Sequence, residues 1–532
     1  MDRQNTQVIV VGGSLVGLSA SLFLASRKVN HIVVEKHKAS SPHPRAMGFT
    51  EHTLEFFRAV GLAERIPQTD PTVRLQRMKI KSLAGQWGEE THWTPGASVE
   101  QRGHFSPCSG AAIPQDKLEP ILGARASELG ADLRLGTEIL GFSQGAEEVE
   151  VAVRERDTGK EYIIAAPYLI AADGADSAIR EQLGITRQGI GHVQTIRSVL
   201  FRCPEADAFL ERGVQQFEIE QPGFKAFLTS YHDGRWVLMF SDDAERSHSE
   251  LEMSIRQALG QDMKFQIITT GRWELAGRIA ERYRAGRVFL AGDSAHQLPP
   301  TRGGFGANTG IDDVYNLAWK LELVLKGASA ASLLDTYNDE RQPIGWLRHQ
   351  QTFARPDYSQ ITGKPLEGVT LYGEAAMELG QLQRSSAIIG AGPDLPRAQS
   401  PDKWAGQPGV RAPHAWITYQ GQTISTIDLF TRGFLLLTRD ARWQEYVRGA
   451  QRKLAPHLRV VLVGVDIHFE GEGVFERLFG VDALGATLVR PDGVVCWRTR
   501  GEVEHPGDVL CSVLTQVASA LDKPQAEQSS VA

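Results

Sequence analysis

The chain has 532 residues, too many for one hydrophobic core, so two to four domains are expected. Its composition, 42% hydrophobic and 23% charged, is that of a globular enzyme, and a net charge of -7 excludes a basic nucleic-acid-binding surface. The four cysteines, Cys108, Cys203, Cys496 and Cys511, form no CxxC pair, which excludes a zinc site, dithiol redox chemistry and a disulfide scaffold, leaving no metal expected.

The first residues, MDRQNTQ, are polar and carry no targeting signal, and no stretch approaches the ~18 apolar residues of a membrane span. A cytoplasmic protein with no membrane partner is expected. From Val8 to Lys36 the chain reads VIVVGGSLVGLSASLFLASRKVNHIVVEK: a continuous apolar run, a glycine turn, apolar residues at helical spacing and a second strand. That is a βαβ unit of dinucleotide-binding type. Gly12 permits the tight turn, Gly17 permits close packing of helix on strand, and the amides opening the helix can receive a pyrophosphate. Ser14 stands where a second glycine is expected; its Cβ narrows the approach, while its hydroxyl offers a donor to phosphate. Glu35, eighteen residues after Gly17, is the acid expected on a ribose hydroxyl, which favours FAD or NAD over NADP in this site.

Further along, YLIAADGADSAIREQLGI is a buried strand that turns polar at Asp173 and Gly174. Between Ile185 and Ala276 the segments FKAFLTSY and RWVLMFSD read as short strands joined by HDG, predicting an antiparallel sheet. Alternation puts Lys225, Phe227, Thr229 and Tyr231 on one face, with Val237 and Met239 as neighbours on the next strand. These residues read either as a substrate wall or simply as sheet core. A strand from Val288 to Ala291 then leads to Asp293, and the glycine loop Gly303 to Gly306 precedes a helix expected from about Thr309. SPDKWAGQPGVRAPHAW, from about Ala398, reads as a linker. Beyond it ISTIDLF, GFLLLTR, LRVVLVGVD and ATLVRPDGVVCWR give strands, with a hairpin turn at Pro491 to Gly493 and a closing helix in DVLCSVLTQVASAL; the final QAEQSSVA is expected to be disordered.

Order and spacing of GGSLVG with Glu35, DGADSAIR and GDSAH together resemble the flavoprotein aromatic hydroxylases, the single-component FAD monooxygenases of the para-hydroxybenzoate hydroxylase fold. SPHPRAMGFTEHTLEFFRAVGL and NLAWKL are most similar to the hydroxylases of aromatic polyketides, including the anthracycline and tetracenomycin types. The resemblance implies an α/β fold: a Rossmann-like FAD-binding domain, an inserted antiparallel β-sheet substrate domain and a thioredoxin-like C-terminal domain. The FAD-binding domain would cover 1–185, with 74–100 contributing to the substrate domain, and return at 276–397; the substrate domain would cover 186–275 and the C-terminal domain 398–532. Lacking CxxC, that last domain is expected to pack or dimerise rather than catalyse.

For FAD, held tightly but non-covalently, the resemblance implies contacts from Gly12, Gly13, Ser14, Leu15, Val16, Gly17, Glu35, Lys36, Arg45, Gln115, Asp173, Gly174, Asp293, Pro300, Gly306, Ala307 and Asn308. Asp293 would bind the ribityl hydroxyls, Pro299 and Pro300 would lie beside the isoalloxazine, and the amides near Ala307 and Asn308 would face its carbonyl edge. The loop from Pro300 to Asn308 is one residue longer than the family's usual one. Phe227, Tyr231, Met239 and Pro299 are the expected substrate pocket, and His296 is expected to be structural. No second glycine turn of dinucleotide type is found, which fits NADPH as a transient co-substrate beside O2. The implied reaction is hydroxylation of a phenolic, polycyclic polyketide through a flavin C4a-hydroperoxide, with Baeyer-Villiger oxygenation of a ketone, or hydroxylation of a simple phenol, as alternatives. A monomer or homodimer acting on an aromatic small molecule is expected, and no catalytic base is identified by the sequence, Tyr231 being a candidate donor or base.

Overall fold

The computed structural model describes residues 2–43, 46–70, 76–90, 104–299, 305–363, 366–454 and 457–519. Arg45, Pro300 and the QAEQSSVA tail lie outside them.

Val8–Val11 is buried along its whole length because it lies inside a six-stranded sheet, flanked in parallel register by His31–Glu35 and Tyr168–Ala171. Val288–Leu290 pairs in parallel outside Tyr168–Ala171, so the strands preceding Gly12, Asp173 and Gly292 are neighbours. All three motifs therefore emerge at the same carboxyl edge, where open α/β sheets bind ligands. The Leu15–Ser26 helix is buried on nearly every side, because the Gln115–Glu128 and Phe305–Leu325 helices both pack against it. Its two central serines are buried, and Ser21 Oγ lies 2.7 Å from His31 Nε2.

An eight-stranded sheet forms the second layer, in the order His296–Gln297, Gln266–Ala280, Arg187–Arg202, Arg235–Phe240, Phe224–Ser230, Val214–Gln221, Gln76–Ile80 and Trp87–Glu90. The His248–Leu259 helix packs Leu251, Ile255, Ala258 and Leu259 against one face, in a cluster with Phe217, Leu228 and Trp236. Strand alternation then turns the intervening residues to the opposite face, toward the six-stranded sheet's motif edge.

The C-terminal region holds a four-stranded sheet, Leu458–Leu462, Phe434–Thr438, Ala486–Val489 and Val495–Thr499, covered by helices Trp443–Leu454 and Pro506–Val517. The turn at Pro491 to Gly493 joins two of these strands, with Gly493 at φ 80°, the left-handed conformation glycine adopts freely.

Two expectations are corrected. The Phe305–Leu325 helix begins four residues before Thr309. Phe305 sits under the Arg348 guanidinium, 4.4 Å from its ring centre, and the Asn308 side chain is bonded to Gly48, Thr50 and Thr53, so tertiary contacts hold a glycine-bearing first turn in helical form. The segment read as a linker is packed: Trp404 is buried and its indole donates to the Gly380 carbonyl at 2.9 Å, and Arg411 forms a buried ion pair with Glu55.

Candidate active site

One cavity of about 3620 Å³ extends from the glycine turn to the inner face of the eight-stranded sheet. It is several times an ordinary ligand pocket of ~300–1,000 Å³, large enough for a dinucleotide and a second molecule together. Gly12, Gly13, Ser14, Leu15, Val16, Glu35, Lys36, Gln115, Asp173, Gly174, Asp293, Gly306 and Ala307 all line it, as do Phe227, Tyr231 and Met239.

The turn is tight for stated reasons. Gly12 has φ 103°, and a Cβ there would overlap the Ala172 carbonyl; a Cβ on Gly17 would overlap the Gly12 carbonyl. Gly17 therefore serves the turn from behind and is absent from the cavity wall. Glu35 accepts the Gly13 amide at 2.7 Å and the His37 amide at 2.8 Å. Each carboxylate oxygen keeps a further lone pair for a ribose hydroxyl.

Ser14 behaves differently from expectation. Its hydroxyl donates to Glu119 Oε1 at 2.6 Å and accepts from Gln115 Nε2 at 2.9 Å, while Gln115 also donates to Glu119 at 2.7 Å. The single hydroxyl proton is spent on Glu119, so Ser14 ties the turn to the Gln115–Glu128 helix rather than offering a donor to phosphate.

The second and third motifs are joined to each other. Asp173 Oδ2 accepts the Ile179 amide at 3.3 Å, and burial raises the carboxyl pKa. Its Oδ1 is buried with no hydrogen-bond partner among the described residues, an acceptor that a hydroxyl-bearing cofactor can satisfy. Arg180, almost fully buried, donates to the carbonyls of Ala175 (3.0 Å) and Ser294 (3.2 Å), binding the Asp173 segment to the Asp293 segment. Asp313 accepts the Gly292 amide at 3.2 Å, lies 2.7 Å from His296 Nε2 and accepts Arg341 Nε at 2.9 Å. His296 is thus a fully buried structural group. Asp293 is left exposed on the cavity wall at the end of this braced turn.

On the opposite wall, Phe227 is directly across from Met239 and Thr229 from Val237. Phe227, Thr229, Tyr231 and Met239 line the cavity; Val237 is core, and Lys225 projects outward to an ion pair with Glu220 at 2.6 Å. Burial raises the Tyr231 phenol pKa and favours its protonated form. Pro299 is buried behind the wall and does not line the cavity, and the Asn308 side chain is likewise turned away into its bonds with 48–53. Sequence reasoning missed Trp273, Leu275, Leu298 and Tyr358, which also line the cavity. They come from three separate segments, Trp273 and Leu275 sharing one strand, and only Leu298, beside the Asp293 motif, had a local signal.

A three-motif dinucleotide edge facing a substrate sheet across one cavity defines a FAD-dependent monooxygenase. Residues 5–352 match the family described as FAD binding domain, and residues 405–520 match the aromatic-ring hydroxylase C-terminal domain. The chain belongs to the FAD-binding aromatic-ring hydroxylase family. It is 37% identical to 4-methyl-5-nitrocatechol 5-monooxygenase of a Burkholderia species, covering 96% of this chain and 97% of that one. It is 34% identical to the tetracenomycin B2 monooxygenase-dioxygenase of Streptomyces olivaceus, over 97% of this chain and 99% of that one. Among solved structures, aklavinone-11 hydroxylase in ternary complex with FAD and aklavinone matches with a TM-score of 0.86 and 33% identity, covering 98% of this chain and all of that one. Among the described residues, no helix is long and apolar enough to cross a membrane.

Proposed function

We propose that this enzyme hydroxylates a phenolic, polycyclic polyketide-type substrate, using NADPH and O2, as a cytoplasmic monomer or homodimer. The observation that carries the reading is the single cavity shared by the dinucleotide edge and the sheet wall of Phe227, Tyr231 and Met239. Both an anthracycline-type and a tetracenomycin-type relative support the substrate class.

In this reading Glu35 holds the ribose of FAD, the amides from Gly13 to Val16 face its pyrophosphate, Asp293 and Asp173 take hydroxyls, and Gly306 and Ala307 offer amides at the ring end. Bound FAD supplies the redox chemistry, accepting electrons from NADPH and passing them to O2, which no side chain here can do. The protein's own contribution is position, dryness and proton handling. Phe227 and Met239 hold the ring and exclude water. Tyr231, kept protonated by its burial, donates to a substrate oxygen and stabilises the phenolate, the more nucleophilic form of the ring.

The test is anaerobic mixing of the holoenzyme with NADPH, following flavin absorbance with and without mono- and polycyclic phenols, then admission of O2 and determination of the product structure by NMR. Acceleration of flavin bleaching by polycyclic phenols, with hydroxylated product, is the expected result. Bleaching equally fast without any phenol would replace the reading by a simple reductase, and ring-expanded product would replace it by Baeyer-Villiger chemistry. The nitrocatechol-named relative favours a second reading, a monocyclic phenol, which the same panel separates.

A further inference from the structure

The sheet that floors the cavity is not uniform across its strands. Two cross-strand rows face inward on the residues that alternate with buried Phe217 and Ile219: Arg77, Gln216 and Thr229 in one, Lys79, Glu218, Phe227 and Met239 in the other. The strand of Met239 is apolar at this face and lies toward His296–Gln297, the strand that follows Asp293; the strand of Gln216 lies two places further out. At ~4.8 Å per strand, Gln216 is about 10 Å beyond Met239, further than one aromatic ring reaches.

The outer half is polar, and its charges are in part paired. Arg77 is paired with Glu218 and lies 5.5 Å from the centre of the Phe227 ring, and Lys79 is 3.7 Å from Glu220. Thr229 donates to the Gln215 carbonyl at 3.1 Å, leaving its oxygen as an acceptor. Gln216 differs: among the described residues its side-chain amide has no hydrogen-bond partner, and its Oε1 is buried. A buried, unpaired amide oxygen costs about 1–3 kcal/mol, a cost that a ligand group can remove.

We propose that Gln216 forms a distal subsite that hydrogen-bonds a neutral hydroxyl or carbonyl oxygen at the far end of an extended fused-ring substrate, while the reacting ring lies over Phe227 and Met239. The inference rests on the polycyclic reading above and adds the end-to-end polarity of the molecule. The amide is itself neutral and the guanidinium in its row, Arg77, is already paired with Glu218, so the site favours a neutral group over a carboxylate or phosphate. The amide donates and accepts, so either a carbonyl or a hydroxyl suits it.

The test compares dissociation constants of 1,8-dihydroxyanthraquinone, unsubstituted anthraquinone and 4-methylcatechol, read from perturbation of the oxidised flavin spectrum of the holoenzyme, in wild type and Gln216→Leu. The expected result is about tenfold weaker binding of the dihydroxyanthraquinone by Gln216→Leu, loss of its preference over anthraquinone, and unchanged 4-methylcatechol and FAD affinities. Gln216→Asn, which keeps the amide on a shorter arm, should fall between the two. Equal weakening of all three ligands, or none, overturns the subsite alone. A wild-type enzyme whose flavin answers to 4-methylcatechol but to neither anthraquinone overturns the subsite and the polycyclic reading together.

Discussion

Two polar regions of this molecule invite comparison: the seam where the C-terminal domain meets the FAD-binding domain, and the cavity floor. At the seam Arg490 contacts Glu340 (2.6 Å) and Asp492 (2.7 Å), Lys320 contacts Glu340 (2.9 Å), and the Trp319 indole donates to Asp492 at 3.0 Å, all among nearly or fully buried groups. Two cations meet two carboxylates. Burial pushes the Lys320 ammonium down to about 8, against the pull of Glu340, while Arg490 and Lys320 hold Glu340 below the usual carboxylate range despite its burial. On the floor, by contrast, the Gln216 amide has no partner among the described residues. A buried polar group whose partners are all protein belongs to the architecture; one left without a partner on a cavity wall is open to a ligand.

That contrast can be broken most sharply at the seam. Arg490→Leu should lower the free energy of unfolding by about 3–5 kcal/mol, read by denaturant titration of the holoenzyme, because Lys320 alone is left to face Glu340 and Asp492, one buried carboxylate in excess. Replacing Arg490, Lys320, Glu340 and Asp492 together by apolar residues should recover much of that loss; failure to recover would mean that the charges do more than satisfy one another.

A further large effect comes from His349. Its imidazole is buried, accepts the Ile190 amide at 3.1 Å and is held by burial down to about 4 from an ordinary 6.5. Between pH 6.5 and about 4 the unfolded chain binds a proton that the folded one refuses, so stability falls as pH falls across that window, by about 3 kcal/mol in all. His349→Gln, which can accept the same amide without titrating, should flatten this part of the stability profile.

Asp293→Ala should raise the FAD dissociation constant about 10- to 100-fold, the loss of a hydrogen bond to a charged acceptor, with little change in the folding of the apoprotein. Retention of FAD with wild-type affinity would remove Asp293 from the cofactor site. At the smallest end, Lys225→Ala should change stability by less than about 0.5 kcal/mol, since its pair with Glu220 is exposed on both sides, and should leave flavin reduction untouched.

The flavin edge was legible in the sequence because local rules suffice there. Apolar runs of parallel-strand type, a glycine turn and an acid at a fixed distance describe Val8 to Glu35 without reference to the rest of the chain. The same was true of alternation at Phe227 and Tyr231. What the sequence hid was set by distant partners. Ser14 points to Glu119, 105 residues away, and Asn308 to Thr53, 255 away, so neither side chain's direction could be read from its neighbours. The start of the Phe305–Leu325 helix was concealed for the same reason. Trp404 and Arg411 looked like linker residues because proline and glycine surround them, and only their burial against Gly380 and Glu55 shows otherwise.

Trp319 and Leu323 sit on the helix whose first residues line the cavity, yet they are buried in one cluster with Phe434, Trp443 and Leu488 of the C-terminal domain. For protein engineering, the chain is therefore a poor candidate for trimming. Removing the last quarter would lay open an apolar stripe on the helix that carries the cavity-lining turn, inviting aggregation. Chimeras between relatives should exchange this helix and the C-terminal domain as a single cassette.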